Sequence, residues 1–242
     1  MKTCFAILLL AALPVFADVS SDFAAANKLY QQGNFAKAAA GYEQLAQSGL
    51  VSPVLQFNLG NARLKVGSEG RALAAYRQAQ LLAPRDADLR ANLQFARARV
   101  TDNASLRPTT LQNAFARLTL NEWLTLAGLA VAAWFTLLAA REGRADLRPR
   151  LGGATKLAGL ASAALLLGAF TAWSLNYSEP AAVIIAHEAA VRSGPLDDAT
   201  TVFTLKDGVE LAVTATREEW LQVRDAQRRI GWLKRTDAQV VQ

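Results

Sequence analysis

The sequence predicts a multidomain protein that combines all-α helical hairpins, two transmembrane helices and a small C-terminal all-β barrel. Three observations predict this fold class. Matching residues recur 34 positions apart in the first hundred residues, two long apolar segments follow, and short β-prone segments separated by turn residues fill the last quarter of the chain. A length of 242 residues would allow one domain or two, so the prediction depends on these changes of pattern along the chain.

The N-terminal segment has the features of a signal peptide. Lys2 precedes an apolar run from Cys4 to Ala17 that is too short for a comfortable membrane span. Small residues near Ala17 occupy the positions that signal peptidase reads, so we predict a signal peptide at 1–17 with cleavage after Ala17. An uncleaved anchor is the alternative. Cleavage would remove Cys4, the only cysteine, and the mature chain would then have neither a disulfide nor a thiol nucleophile.

Residues 19–100 contain an internal repeat. Three pairs of residues share a spacing of 34 positions: Gly33 and Gly67, Ala38 and Ala72, and Tyr42 and Tyr76. A 34-residue period with a glycine between two short helices is typical of the tetratricopeptide repeat, which this segment resembles. After Pro84 there is room for one further helix, which would cap the stack. An ordinary bundle of alanine-rich helical hairpins is the alternative.

Gly60 lies inside the predicted first helix of the second repeat. Glycine costs a helix about 0.5–1 kcal/mol relative to alanine, so its use there needs a reason. We expect another helix to come very close at Gly60 and to present small residues of its own.

Two apolar segments, at 119–140 and 157–175, are long enough to span a bilayer. A linker at 101–118 precedes the first segment, and a basic loop at 141–156 joins the two. Aromatic residues near the ends of the segments fit the interfacial belt of a membrane protein: Trp123, Trp134, Trp173 and Tyr177. The alternative is that both segments are buried core helices of a soluble protein.

The charge of the connecting loop predicts the topology. The loop carries five basic residues against two acidic ones, and short basic loops stay in the cytoplasm. Both ends of the chain should therefore face outward, which agrees with export of the N-terminus by the signal sequence. We predict a protein of the bacterial inner (cytoplasmic) membrane with two spans and both termini periplasmic or otherwise extracytoplasmic. The remaining arginines are scattered and form no stripe for a nucleic acid.

Residues 181–242 predict a small antiparallel barrel. The segments VRSGP, LKDGVEL, WLQV and IGWLK resemble the bacterial Src-homology-3-like domain. Gly208 would permit a tight turn, and Gly231 would permit a close backbone approach. We expect Trp220 and Trp232 to supply large apolar area to the core of the barrel.

The order of signal peptide, repeats, paired spans and barrel resembles the BatE-like tetratricopeptide proteins of the Bacteroides aerotolerance operon type. This resemblance implies a membrane-anchored scaffold linked to stress or aerotolerance. It implies partners among Bat-type membrane proteins that carry von Willebrand factor A domains, and indirectly a MoxR-type ATPase. Cell-wall binding by the barrel, with peptidoglycan as the ligand, is the alternative function, since some bacterial Src-homology-3-like domains bind the wall.

The sequence offers few candidates for catalysis, so we predict that the protein is not an enzyme and uses no cofactor or metal. His187 is the only histidine, which excludes a histidine-rich metal site, and we expect it to be an ordinary strand residue. Gly152 and Gly153 lack the rest of a phosphate-binding loop.

The candidate binding surface is the concave face of the repeats. Helical spacing places six residues there, and we predict that they bind a partner protein: Phe23, Asn27, Tyr30, Asn58, Asn61 and Asn92. Asparagine carries donors and an acceptor, so a solvated row of asparagines can bind a peptide backbone in either sense. Phe23 and Asp88 stand where the family's carboxylate clamp has lysines, so recognition of a C-terminal carboxylate is not expected. The alternative is that the asparagines only cap helices or face solvent.

Overall fold

The computed structural model describes residues 13–100 and 109–241 of the chain. Most of the predicted signal peptide and the segment 101–108 of the predicted linker lie outside the described residues. The chain divides into two compact units. We call Met1–Leu106 together with Ala181–Gln242 the helix–barrel unit, and Arg107–Pro180 the span unit.

Within residues 13–100, five helices form the N-terminal part of the helix–barrel unit, and each packs against the next. They are α1 Leu13–Gln31, α2 Phe35–Gln47, α3 Pro53–Lys65, α4 Glu69–Leu82 and α5 Ala87–Arg99. The short connections make consecutive helices antiparallel neighbours. Gly33 and Gly67 lie in the α1–α2 and α3–α4 turns with φ angles of +78° and +77°, which glycine adopts without steric cost. The pair of helices α1 and α2 therefore recurs, one repeat period later, as α3 and α4.

Gly60 makes a close contact, but with an aromatic ring. A Cβ atom on Gly60 would lie 2.6 Å from Cδ1 of Tyr76, on α4. The expectation of a close helix contact is confirmed, and the expectation that the neighbouring helix presents small residues there is wrong. The physical reason is that the fully buried Tyr76 ring needs a flat surface, which the missing side chain of Gly60 provides.

The span unit contains the short helix α6 Thr110–Phe115 and the long helices α7 Leu120–Gly143 and α8 Arg148–Asn176. The two candidate spans, Leu120–Gly143 and Ala145–Asn176, each contain an 18-residue window of high mean hydropathy, 1.8 in the first and 1.6 in the second. Only 6% and 17% of their most apolar windows are buried, whereas a core helix of a soluble protein would be mostly buried. Both helices are therefore long and apolar enough to cross a membrane.

The predicted basic loop at 141–156 is largely helical. Helix α7 continues to Gly143, and α8 already begins at Arg148. Thr119 and Glu122 form a capping box that starts α7, which explains the charged residue at that end of the segment.

Tryptophan rings pack against glycines between α7 and α8. A Cβ atom on Gly168 would lie 2.6 Å from Cζ3 of Trp123, and one on Gly159 would lie 3.0 Å from Nε1 of Trp134. Trp123 and Trp134 thus help to join the two helices, a role beyond the interfacial one expected from the sequence.

Seven antiparallel strands form one sheet in the order β3-β2-β6-β5-β4-β1-β7. They are β1 Ala181–Ile184, β2 Glu188–Arg192, β3 Thr201–Lys206, β4 Glu210–Arg217, β5 Trp220–Arg224, β6 Ile230–Lys234 and β7 Ala238–Val241. Every strand contributes to one aliphatic core, so the sheet bends around that core and leaves β3 and β7 as its edges. We refer to residues 181–241 as the barrel.

The two glycines of the barrel have the predicted roles, and the two tryptophans do not. Gly208 has a φ of +85°, and a Cβ atom on Gly231 would lie 2.5 Å from Cγ1 of Val191. Trp220 is buried, but it lies outside the aliphatic core, and Trp232 is only half-buried. The reason is strand alternation: Leu233 points into the core, so its neighbour Trp232 points out.

Candidate functional site

The predicted binding asparagines form hydrogen bonds with the repeat helices and with one another. In the first repeat, Oδ1 of Asn27 accepts hydrogen bonds from the Tyr42 hydroxyl at 2.6 Å and from Nδ2 of Asn58 at 3.2 Å. These bonds link α1 to both α2 and α3.

The same arrangement recurs in the second repeat. Oδ1 of Asn61 accepts hydrogen bonds from the Tyr76 hydroxyl at 2.6 Å and from Nδ2 of Asn92 at 2.9 Å. We call Asn27, Asn58, Asn61 and Asn92 the asparagine row. The hydrogen bonds of the row therefore connect all five helices.

The asparagine row is half-buried, so the expectation that these side chains are simply solvated is wrong. The side-chain carbonyls of Asn27 and Asn61 each lie beside a buried tyrosine, whose hydroxyl needs a hydrogen-bond acceptor inside the stack. Burial raises the pKa of the Tyr42 and Tyr76 hydroxyls, so both stay protonated as donors. The role of the row in partner binding stays a prediction.

Phe23 and Tyr30, the two aromatic residues predicted beside the row, are half-buried and pack on other rings. The ring centroids of Phe23 and Tyr42 lie 5.8 Å apart, and those of Tyr30 and Phe35 lie 5.0 Å apart. Phe57, which the sequence reasoning missed, repeats the contact of Phe23 with a centroid distance of 6.0 Å to Tyr76. Phe57 lies 34 positions after Phe23, so the repeat spacing in the sequence could have predicted this contact.

Asp88 is exposed in the first turn of α5. Its carboxylate would repel the C-terminal carboxylate of a bound peptide, because the two groups carry like charges. The prediction that this surface does not recognise a C-terminal carboxylate is unchanged.

A second feature, which the sequence reasoning missed, joins the barrel to the helices. Glu210, on β4, is fully buried and receives hydrogen bonds from Nε and Nη2 of Arg97, on α5, at 3.0–3.2 Å. Nε of Arg77, on α4, lies 3.5 Å from Oε1 of the same carboxylate. Burial lowers the pKa of Arg77, and the Glu210 charge opposes that shift.

Close backbone packing accompanies this charge cluster. The backbone N–H of Gly70, on α4, donates a hydrogen bond to Oδ2 of Asp207 at 3.2 Å. A Cβ atom on Gly70 would overlap the Ile184 carbonyl oxygen and the Asp207 carboxylate. Burial raises the pKa of Asp207, and the Gly70 hydrogen bond opposes that shift.

Apolar contacts complete this surface. Val183 and Val241 of the barrel belong to the same buried cluster as Tyr76, Leu89 and Leu93 of the helices. Val100 packs in the opposite direction, against the core of the barrel. We call the contact made by Gly70, Arg77, Arg97, Val183, Asp207, Glu210 and Val241 the helix–barrel interface.

An open cleft lies on another part of the barrel. It has a volume of about 370 Å³ and is lined by Pro195, Leu196, Arg217, Glu218 and Trp220. Lys234, near this cleft, is paired with Asp197 at 2.6 Å and lies over the Trp220 ring, and the Asp197 hydrogen bond raises its pKa.

The described residues contain no group of three or more histidine, cysteine, aspartate or glutamate side chains that could hold a metal ion. His187 is exposed in the bend between β1 and β2, so the expectation that it is a strand residue is wrong: the chain turns there, and β2 begins only at Glu188. The prediction that the protein is not an enzyme stays a prediction.

Comparison with known families identifies part of the barrel. Residues 186–237 match the family described as the bacterial SH3 domain. This match confirms the predicted Src-homology-3-like domain over most of the barrel. No curated protein and no solved structure matches the chain. The tetratricopeptide and BatE-like resemblances therefore stay predictions.

Proposed function

We propose that the protein is a membrane-anchored extracytoplasmic scaffold that binds a segment of a partner protein along the asparagine row. The observation that carries the proposal is that the chain segments before and after the two membrane-length helices pack into one unit with shared buried clusters.

This packing bears on the membrane topology. Chain segments that share a buried cluster must lie on the same side of a membrane, so the chain between them must cross an even number of times. Two crossings, by α7 and α8, meet this condition. With the basic residues between the spans in the cytoplasm, the helices and the SH3 domain both face outward. A bacterial SH3 domain fits that location.

The hydrogen bonds of the asparagine row support binding of an extended peptide. They use the carbonyl oxygens of Asn27 and Asn61 and the amide nitrogens of Asn58 and Asn92. A bound peptide would contact the remaining polar atom of each side-chain amide. In sequence order, Asn27 would offer a donor, Asn58 an acceptor, Asn61 a donor and Asn92 an acceptor. A peptide backbone also alternates donors and acceptors.

The resemblance to BatE-like proteins suggests the partner class. We propose Bat-type membrane proteins with von Willebrand factor A domains as direct partners and a MoxR-type ATPase as an indirect one. The assembly would respond to stress or support aerotolerance.

Recovery of partners from detergent-solubilised membranes tests the proposal. The variant Asn58→Ala/Asn92→Ala removes two amides but keeps the bonds of both buried tyrosines to Asn27 and Asn61. Each lost hydrogen bond is worth about 0.5–1.5 kcal/mol, so we expect binding to weaken by roughly ten-fold. The matched control, Gln44→Ala/Gln94→Ala, changes two exposed amides outside the row. Equal recovery with both variants would contradict the proposal.

Cell-wall binding is a second candidate, favoured by the SH3 match and the open cleft. Sedimentation of the full chain with isolated peptidoglycan tests it. The exposed Leu196 lines the cleft, so Leu196→Glu should abolish sedimentation if the cleft binds wall material. Sedimentation that survives Leu196→Glu would exclude the cleft as the wall-binding site.

A further inference from the structure

Helix α5 has the features of the first helix of a third repeat. Its N-cap Asp86 accepts a hydrogen bond from the Leu89 N–H, as the N-cap Ser52 of α3 accepts one from the Leu55 N–H. Asn92 occupies the position in α5 that Asn58 occupies in α3, and it joins the asparagine row. In the first two repeats, a second helix packs against the first one. After α5, the described residues contain no such helix in the helix–barrel unit.

The barrel covers this end of the helical stack, because β1 and β7 pack on α4 and Glu210 of β4 is paired with Arg97 of α5. Val183 and Val241 belong to the same buried cluster as Tyr76, Leu89 and Leu93. The last repeat of a stack needs its open apolar face covered, and a polar outer surface suits a cap. We infer that the barrel is the cap of the helical stack and stands in for the second helix of an incomplete third repeat.

Glu210 fixes the position of this cap. Its carboxylate is fully buried, and it is paired with Arg97 of α5 and Arg77 of α4 at once. Apolar contacts alone tolerate sliding, whereas a two-oxygen pair with a guanidinium has one good geometry. The cluster therefore selects a single docked arrangement. This role goes beyond partner binding and restricts it, because the interface face of the SH3 domain is unavailable to other ligands.

The variant Gly70→Ala tests docking, because the substitution should destabilise a docked helix–barrel unit and should not destabilise an undocked helical stack. In an undocked stack, alanine would suit helix α4 at least as well as glycine. In the docked unit, its Cβ atom would overlap the Ile184 carbonyl oxygen. The matched control is Gly194→Ala, whose added Cβ atom would make an ordinary contact at 4.0 Å with Ala199, away from the interface.

The first measurement is the distance between spin labels in the full chain, reconstituted in lipid nanodiscs. Cys4 is replaced by alanine, and labels are attached at Ala91→Cys on α5 and Thr204→Cys on β3, both exposed positions. We expect one narrow distance distribution in the parent and in Gly194→Ala, and a broadened or lengthened distribution in Gly70→Ala. A distribution unchanged by Gly70→Ala would overturn the inference.

The second measurement is amide hydrogen exchange of the same proteins. Loss of the cap should speed exchange in α4 and α5 by about ten-fold or more and leave α1 and α2 nearly unchanged. Altered distances without faster exchange in α5 would show docking without capping and would also overturn the inference.

A second variant keeps the test valid if Gly70→Ala fails to fold. Glu210→Gln keeps the shape of the side chain and removes its charge, so it should broaden the distances in the same way. Its control is Glu188→Gln, at an exposed carboxylate on β2. Identical distances in both glutamine variants would overturn the role of Glu210 in fixing the cap.

Discussion

At the scale of single residues, two helical glycines leave room for larger groups that pack against them. Gly60 gives space to the Tyr76 ring, and Gly70 lets the barrel reach helix α4. Both lie in helices, where glycine costs about 0.5–1 kcal/mol relative to alanine. The packing that each glycine permits offsets that cost.

We predict that Gly60→Leu destabilises the helical stack by about 1–3 kcal/mol, because the added side chain overpacks the Tyr76 contact. The free energy of local opening, from hydrogen exchange of α3 and α4 in the full chain, measures this effect. Ala40→Leu adds similar bulk at an exposed site on α2 and should change little. Equal opening energies in the two variants would contradict the packing described at Gly60.

The buried charges yield a second prediction at this scale. Removing one partner of a buried ion pair costs about 3–5 kcal/mol, whereas replacing all partners by apolar residues of similar size is often neutral. Glu210→Gln should therefore destabilise the helix–barrel unit more than a triple change of Arg77, Arg97 and Glu210 to methionine. Hydrogen exchange in α5 compares the two. The opposite order would mean that the charge cluster itself supplies net stability.

At the scale of elements, strand alternation decides which tryptophan of the barrel contributes more to its stability. Trp220 is 5% exposed, whereas Trp232 is half-buried on the outer side of β6. We predict that Trp220→Ala costs about 3–5 kcal/mol, as for other buried tryptophans, and that Trp232→Ala costs clearly less. Urea unfolding of the full chain, followed by near-ultraviolet circular dichroism, measures both. A larger loss for Trp232→Ala would contradict the burial pattern of β6.

The contact between α4 and the loop before β4 yields a prediction about pH. Burial raises the pKa of Asp207, the neighbouring Glu69 raises it further, and Arg71 and the Gly70 N–H lower it. Because the folded pKa lies above the ordinary carboxyl value, protonation of Asp207 favours the folded helix–barrel unit, in which α4 and the barrel are docked. The stability from this group is fully present below the unfolded pKa and is lost as pH rises through the folded pKa.

Docking should therefore weaken as the pH rises from the ordinary carboxyl pKa through the raised pKa of Asp207, by the amount of stability that Asp207 contributes. Asp207→Asn should remove that part of the pH dependence. The spin-label distances measured across the range in both proteins test this. A parallel pH dependence in the two proteins would assign the titration to another group.

At the scale of the whole molecule, the two membrane-length helices α7 and α8 lie in the sequence between two parts of one folded unit. We predict that a reporter active only in the cytoplasm works when fused after Arg148 and fails when fused after Gln242. The basic residues near Arg148 favour a cytoplasmic position for that segment. The shared packing of the helices with the barrel keeps these two parts on one side of the membrane. The reverse pattern would contradict the proposed location of the protein.

The sequence by itself determined the parts of this protein whose signals are local or periodic. A regular spacing of matching residues marked the repeated helices, long apolar segments marked α7 and α8, and four short motifs marked the SH3 domain. Such signals survive in one dimension, because helix turns, membrane thickness and tight turns each impose a fixed spacing on the chain.

The tertiary structure alone decided how these parts combine. Arg97 and Glu210 are 113 residues apart, and neither belongs to a periodic pattern. The hydrogen bonds within the asparagine row also depend on which side chains a neighbouring helix presents. The physical reason is that burial and pairing arise from contacts between distant segments, and a linear pattern of residue types does not encode which distant segments meet.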